Sequence, residues 1–313
     1  MIYLAYLIVA AGVVWFSVKA SDYVDLLDKK TSLSGAFIGG IMLSAVTSLP
    51  ELFTSISATV LLHQPGLCLG NILGSDLFNM AMLSFFLLIF TRTFGKAALS
   101  SSHRVVTAFV FVCYVALILN WLDILRLNIL SVSLTSVCIV VLYILSVKFL
   151  SSEESEEESQ EDTSPLTVRQ VAVRFVAVSV GIVALSILIT YITDGISVRL
   201  HLGQSMAGAL FLGIATSLPE AASTATLLRM GNVDIAFGNI VGSNIFNFII
   251  MAVVDILYRG SVYDFSDPQT VTLLLCGTVA LPLMWIMMKF RNHVTKIVCP
   301  LLILGCYGVF LFA

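Results

Sequence analysis

The sequence predicts an all-α polytopic membrane protein: ten transmembrane helices forming two inverted five-helix repeats, with broken helices at the core. Three observations point there. Of 313 residues, 58% are hydrophobic and 11% charged, and the mean hydropathy is +1.02, which leaves too little polar surface for a water-soluble domain. The basic residues fall almost wholly in alternate loops. One polar motif occurs twice, once in each half. The net charge of -3 argues against a nucleic-acid partner.

A hydrocarbon core takes about 20 apolar residues per helix. Runs of that kind fall at 2–19, 33–62, 66–91, 104–121, 126–150, 168–191, 204–229, 232–257, 269–289 and 294–313. The first, Ile2 to Val18, has no Lys or Arg ahead of Lys19 and no A-x-A site, so it reads as a membrane helix and not a signal peptide. Spans two, three, seven and eight are long and carry Gly, Pro, Ser and Asn; they are expected to be broken or kinked. Loops after odd-numbered spans hold Lys19, Lys29, Lys30, Arg92, Lys96, Arg104, Lys148, Arg169, Arg174, Arg229, Lys289, Arg291 and Lys296, against only Arg126, Arg199 and Arg259 after even-numbered ones. The asymmetry puts both termini outside and the central linker in the cytoplasm, with the plasma (inner) membrane as the default location.

Residues 1–150 then form the first repeat (spans one to five), 151–165 an acidic linker and 166–313 the second repeat. The linker, Ser151 to Pro165, has seven acids and no base and reads as a solvated hinge. Five spans per half is an odd number, so the halves insert with opposite orientation, a plan that places a site where the repeats meet at midplane.

Other polar residues carry less. The six cysteines lie mostly in apolar runs without a C-x-x-C pair and read as small buried hydrophobes. His63, His103, His201 and His293 share no metal-ligand spacing and read as exposed or interfacial, and Asp22 and Asp194, just after spans one and six, read as interfacial caps. Trp15, Trp121 and Trp285 read as packing and interface anchors.

The repeated motif carries the chemistry. Ser44 to Glu51 reads SAVTSLPE and is followed by Gly70 to Asn79, GNILGSDLFN; Gly213 to Glu220 reads GIATSLPE and is followed by Gly238 to Asn247, GNIVGSNIFN. A proline inside a helix removes one donor and clashes with the carbonyl four residues earlier. Pro50 therefore frees carbonyls around Val46 and Thr47, and Pro219 those around Ala215 and Thr216, and in a membrane something must satisfy them. A glutamate follows each proline. Carbonyls, Thr and Ser hydroxyls and a carboxylate form a hard, all-oxygen set that suits Ca²⁺ or Na⁺ better than zinc or copper. On the following helix Ser75 and Asn79, like Ser243 and Asn247, lie four apart and share a face. Gly70 with Gly74, and Gly238 with Gly242, make small-xxx-small faces for close approach. Ionisable groups at membrane depth are costly and mostly functional, which singles out Glu51 and Glu220. Two carboxylates balance one divalent cation, two monovalent cations or two protons, so a site of this charge resists crossing the membrane unloaded. Asp76 projects within about 60° of Asn79 at ~100° per residue. It is either a third charge that alters stoichiometry or couples protons, or a hydrogen-bonded acid at a helix interface.

These residues resemble the alpha repeats of sodium/calcium exchangers in the calcium/cation antiporter superfamily, with prokaryotic-type members the nearest in layout. The resemblance covers both repeats, the five-plus-five plan and the acidic linker. It implies a transporter and not an enzyme: a secondary antiporter exchanging Ca²⁺ for Na⁺ by alternating access. Spans one and six would move against the core, with the two ions as cargo and no cofactor. Carried over by motif position, Glu51 and Glu220 are central cation ligands and Thr47 and Thr216 donate backbone or hydroxyl oxygen. Ser75 and Ser243 help to bind Na⁺, and Asn79 and Asn247 complete the inner site. There are departures. The glycine expected before T-S-L-P-E is Val46 in one repeat and Ala215 in the other, Asp76 stands where Asn or a small residue is common, and Asn247 replaces the acid of the potassium-dependent branch. The G-N-x-x-E-L motif of calcium/proton exchangers is absent, which favours Na⁺ as counter-ion. An H⁺-coupled antiporter, Mn²⁺ or Mg²⁺ as cargo, a passive cation channel and, last, an intramembrane enzyme using two carboxylates remain the competing readings. The lipid bilayer is the expected partner, and nothing calls for an obligate protein partner.

Overall fold

The computed structural model describes residues 2–31, 37–61, 63, 65–125, 127–129, 132–151, 165–200, 213–290 and 292–312. Helix α1 spans Ile2–Lys30. A π-helical stretch, Ile38–Leu43, leads into α2 (Ser44–Thr47); α3 (Leu49–Ile56) follows and ends in a second π-helical turn, Ser57–Leu61. Next come α4 (Pro65–Ile89), the short α5 (Thr91–Lys96) and α6 (Ser101–Trp121). A two-stranded antiparallel ladder, β1 (Asn128–Ile129) with β2 (Val132–Ser133), precedes α7 (Leu134–Ser151). The second half holds α8 (Val168–Leu200), α9 (Gly213–Thr216), α10 (Leu218–Met230), α11 (Val233–Leu257), α12 (Pro268–Phe290) and α13 (Thr295–Phe312).

Eight helices among the described residues are long and apolar enough to cross a membrane, and nine spans result when the pair bent at Ser48 is taken as one. Of the ten predicted spans, the seventh begins on residues 201–212, outside the described ones, as do His201 and most of the acidic linker (152–164). The apolar windows of α4 and α11 are 72% buried, against 17% for α1, 24% for α8 and 22% for α13. Two central helices are therefore wrapped by others whose outer faces carry Leu4, Leu7, Val173, Val176 and Leu301 exposed, the surface that lipid solvates.

Several expectations need correction. The first span was set at 2–19, yet α1 continues to Lys30. Hydropathy marks where the apolar run ends, whereas the helix is carried on by Lys19–Asp22 at 3.0 Å and Lys29–Asp25 at 2.9 Å, pairs that neighbour on a helix surface. Asp22 is thus an intrahelical partner and not a cap. Span six likewise extends from 191 to Leu200. Span five was set at 126–150, but residues 128–129 and 132–133 form the ladder, so among the described residues the regular structure is helical apart from that one strand pair. Spans three and eight, expected to break, are the continuous helices α4 and α11. Their Gly and Asn residues lower helix propensity by only about 1 kcal/mol or less each, and neither interior contains Pro. Spans two and seven do break, at Ser48 and Ser217, which sit at φ −91°, ψ 4° and φ −91°, ψ 8°. The first break bends the chain by 42°. In each, the proline occupies the first turn of the new helix, where its missing N–H costs nothing.

Close approach of the core helices depends on glycine. A Cβ on Gly238 would lie 3.0 Å from the Gly40 backbone nitrogen, and one on Gly242 would overlap the Gly40 carbonyl. The predicted small face of α11 thus meets Gly39 and Gly40 backbone to backbone. A Cβ on Gly70 meets no atom within 4 Å. The cysteines are free, with Cys68, Cys113, Cys276 and Cys299 buried, as small hydrophobes should be.

Candidate ion-binding site

The two chain breaks face each other. Glu51 (1% exposed) opens α3 and Glu220 (0%) opens α10, each just past its Ser-Leu-Pro corner. Ser48 Oγ donates to Glu220 Oε1 at 3.1 Å, and Ser217 Oγ donates to Glu51 Oε1 at 3.2 Å. The serine at each break therefore holds the carboxylate of the opposite half, and neither acid faces lipid.

Ser243, Thr47 and Thr216 contact this pair, whereas Asn79 and Asn247 bond to Asn244 and Asp76. Ser243 Oγ lies 3.4 Å from Glu220 Oε1 and 3.4 Å from Thr47 Oγ1. Thr47 also bonds back to the carbonyls of Leu43 and Ser44 at 3.1 and 3.2 Å, so its hydroxyl is held at the end of α2. Thr216 contacts the Glu51 carboxylate and lies within 3.3 Å of the Gly213 carbonyl. Asn79 Nδ2 donates to Asn244 Oδ1 at 3.1 Å, and Asn247 Nδ2 donates to Asp76 Oδ1 at 2.9 Å. These two bonds tie α4 to α11. Asp76 is fully buried and belongs to this layer.

The oxygens left over define what the site can do. Glu51 Oε2, Glu220 Oε2, Ser75 Oγ, Asn79 Oδ1, Asn247 Oδ1 and Asp76 Oδ2 are buried without a hydrogen-bond partner. Buried polar atoms are ordinarily paired, and an orphaned carboxylate oxygen is costlier still. These six oxygens lie on four helices, α3, α4, α10 and α11, and form an oxygen-rich set dominated by acceptors. An oxygen set of this kind favours a hard cation. No cluster of three or more His, Cys, Asp or Glu in metal-binding arrangement occurs among the described residues; here neutral oxygens supplement two facing acids.

Sequence reasoning missed three partners. Ser48 and Ser217 count in the sequence only as hydroxyls of the motif's oxygen set; their offset by one from the threonine is the one signal of a cross-half role. Asn244 replaces Asp76 at the matching position and accepts from Asn79. His103 was read as exposed or interfacial and is corrected: it is fully buried, its Nε2 2.9 Å from Asp234 Oδ1. Asp234 also accepts from Ser100 N at 2.7 Å, so this pair clamps the starts of α6 and α11.

Comparison with known proteins places the fold and the family. The fold aligns with structures of the sodium-calcium exchanger NCX_Mj at a TM-score of 0.73 and 18% identity, covering 100% of this chain and 99% of that one. A second structure of that exchanger gives a TM-score of 0.74 at 18% identity, over 100% and 98% of the two chains. Among curated proteins, the putative antiporter CaxA of Alkalimonas amylolytica is 28% identical over 116 residues, 36% of either chain. The sodium/calcium exchanger MaX1 of Methanosarcina acetivorans is 36% identical over 87 residues, 26% of this chain and 24% of its own. These matches span about a third or less of the relatives' lengths. The profile described as "Sodium/calcium exchanger protein" matches residues 1–151 and 171–313. A match of that extent makes this integral membrane protein a member of the sodium/calcium exchanger protein family.

Proposed function

We propose that the protein is a secondary antiporter that exchanges Ca²⁺ for Na⁺ by alternating access. Its ten spans form two inverted five-span halves, both termini lie outside and the acidic linker is cytoplasmic. The observation that carries the reading is the reciprocal clasp: Ser48 on Glu220 and Ser217 on Glu51, which brings two buried acids from opposite halves together. With both carboxylates ionised, the site is neutral when it holds one Ca²⁺ or two Na⁺. Empty, it keeps two unpaired charges in a dry core, so crossing without cargo is disfavoured. Glu51 and Glu220 are the central ligands. Thr47, Thr216, Ser75, Ser243, Asn79 and Asn247 supply neutral oxygen. α1 and α8, packed on each other at the periphery, move against the core as the gate. Relatives and fold neighbours named as Na⁺/Ca²⁺ exchangers support this assignment.

Ca²⁺ uptake into vesicles containing the full chain is expected to require an opposing Na⁺ gradient. Glu51→Gln or Glu220→Gln is expected to abolish that uptake while the protein remains folded in the membrane. Uptake that persists in either variant removes the paired acids from the mechanism.

A second reading, proton coupling on the same scaffold, has one observation in its favour. Asp76 is a third buried acid, and its Oδ2 has no partner. Ca²⁺ flux driven by a pH gradient without Na⁺ is the result that selects it.

A further inference from the structure

We infer that Ser55, Thr59 and Asn71 form a neutral waypoint for a monovalent cation, Na⁺, between Glu51 and the outer end of the bundle. The inference rests on the exchanger reading and adds a site to it.

Glu51, Ser55 and Thr59 follow at intervals of four and so run along one side of the α3 segment, the last within the π-helical turn Ser57–Leu61. Ser55 and Thr59 are 0% exposed and Asn71 is 2% exposed. Asn71 Nδ2 donates to Ser55 Oγ at 3.4 Å, which turns the amide toward the stripe from α4. Thr59 Oγ1 and Asn71 Oδ1 are nonetheless left without a hydrogen-bond partner. The buried thiol of Cys68 sits beside the Ser55 and Thr59 hydroxyls, one turn before Asn71 on α4. Beyond the cluster the chain reaches the exposed His63, and Asp264 Oδ2 lies 3.7 Å from where a Gly66 Cβ would be, placing an acid at the rim.

The other half shows what a purely structural version looks like. The positions matching Ser55, Thr59 and Asn71 are Thr224, Leu228 and Asn239. There Asn239 Nδ2 donates to Thr224 Oγ1 at 3.1 Å and Asn239 Oδ1 faces Thr47 Oγ1 at 3.5 Å. Leu228, 1% exposed, closes the stripe with an apolar side chain. The same helix contact is thus made without orphaned oxygens, so the two left over in the first half are not required for packing. Neutral oxygens replace part of the hydration of a single charge but cannot neutralise two in an apolar surrounding. The trio has no carboxylate, and its chemistry therefore selects a monovalent over a divalent ion.

The test uses the full chain in right-side-out membrane vesicles preloaded with Ca²⁺, with Ca²⁺ release driven by external Na⁺ as baseline. If the unmodified protein lacks that release, the exchanger reading itself fails; if the inference alone fails, release stays intact. Thr59→Val, which keeps shape and removes the oxygen, is expected to raise the external Na⁺ needed for half-maximal exchange by about tenfold, the scale of one lost polar ligand. The Ca²⁺ dependence should stay unchanged, and Thr59→Ser should restore the Na⁺ dependence. A cationic methanethiosulfonate reagent applied at the outer face should slow exchange, Na⁺ should protect, and Cys68→Ser should remove the sensitivity, each rate being referred to that variant's own rate without reagent. An unaltered Na⁺ dependence in Thr59→Val overturns the waypoint. So does an unmodified protein insensitive to the reagent, or inhibition that survives in Cys68→Ser.

Discussion

At the scale of single residues, hydrogen-bond accounting separates ligand from scaffold. In both glutamates one carboxylate oxygen is held by a serine from the other half and the second is free. The clasp fixes orientation while leaving one oxygen of each carboxylate unpaired. Asp76 follows the same pattern, with Oδ1 bound by Asn247 and Oδ2 unpaired. An asparagine there keeps an acceptor for Asn247 and removes the charge. Asp76→Asn is therefore expected to retain Na⁺-driven Ca²⁺ uptake and to flatten its dependence on pH, measured as flux across a pH series at fixed Na⁺. An unchanged pH profile takes Asp76 out of proton coupling. That Glu51 and Glu220 are the candidate pair was legible in the sequence, because an acid after a proline in an apolar run has few structural uses; the structure adds that both are buried and held by serines of the opposite half. The burial of His103 was not, since its partner Asp234 lies 131 positions away.

At the scale of elements, proline and glycine do different work. Pro50 and Pro219 start new short helices, and the serine ahead of each takes up the bend. The glycines of α11 leave the helix intact and set how near its neighbour comes. Gly242 packs on the Gly40 backbone, which no rotamer change can move aside. Gly242→Ala is expected to destabilise the folded protein by about 3 kcal/mol, the upper part of the overpacking range, and to lower exchange by displacing Thr47 from Ser243. Thermal unfolding in detergent checks the first effect and vesicle flux the second; a variant with unaltered melting temperature shows that the two helices have slack. Hydropathy located the elements to within a few residues where the helix and the apolar run coincide, as for α6, α11 and α12. It misjudged α1 and α7, where a charged helical extension and a strand pair share sequence with the membrane boundary.

At the scale of the whole molecule, the site exists only when both halves are assembled. Each half contributes one carboxylate and the serine that holds the other's. Cargo that binds this assembled state and not the unfolded chain raises apparent stability by RT ln(1 + [L]/Kd), about 2.7 kcal/mol at a hundredfold excess over Kd. Ca²⁺ is accordingly expected to raise the melting temperature of the purified protein. Glu51→Gln and Glu220→Gln should each lose that shift, because either acid alone leaves a divalent ion half-compensated. An equal shift in both variants places Ca²⁺ binding elsewhere, with the acidic linker as the first region to remove.

The sequence alone determined that this is a helical membrane protein with a doubled, oxygen-bearing motif on proline-broken spans. Those properties depend on local composition and on which residues lie within a turn of one another. Which oxygen meets which donor was decided only by the tertiary structure. Ser48 and Glu220 are 172 positions apart, and their contact depends on how closely glycine lets the helices pack and where each broken span ends. Short-range periodicity carries no information about either.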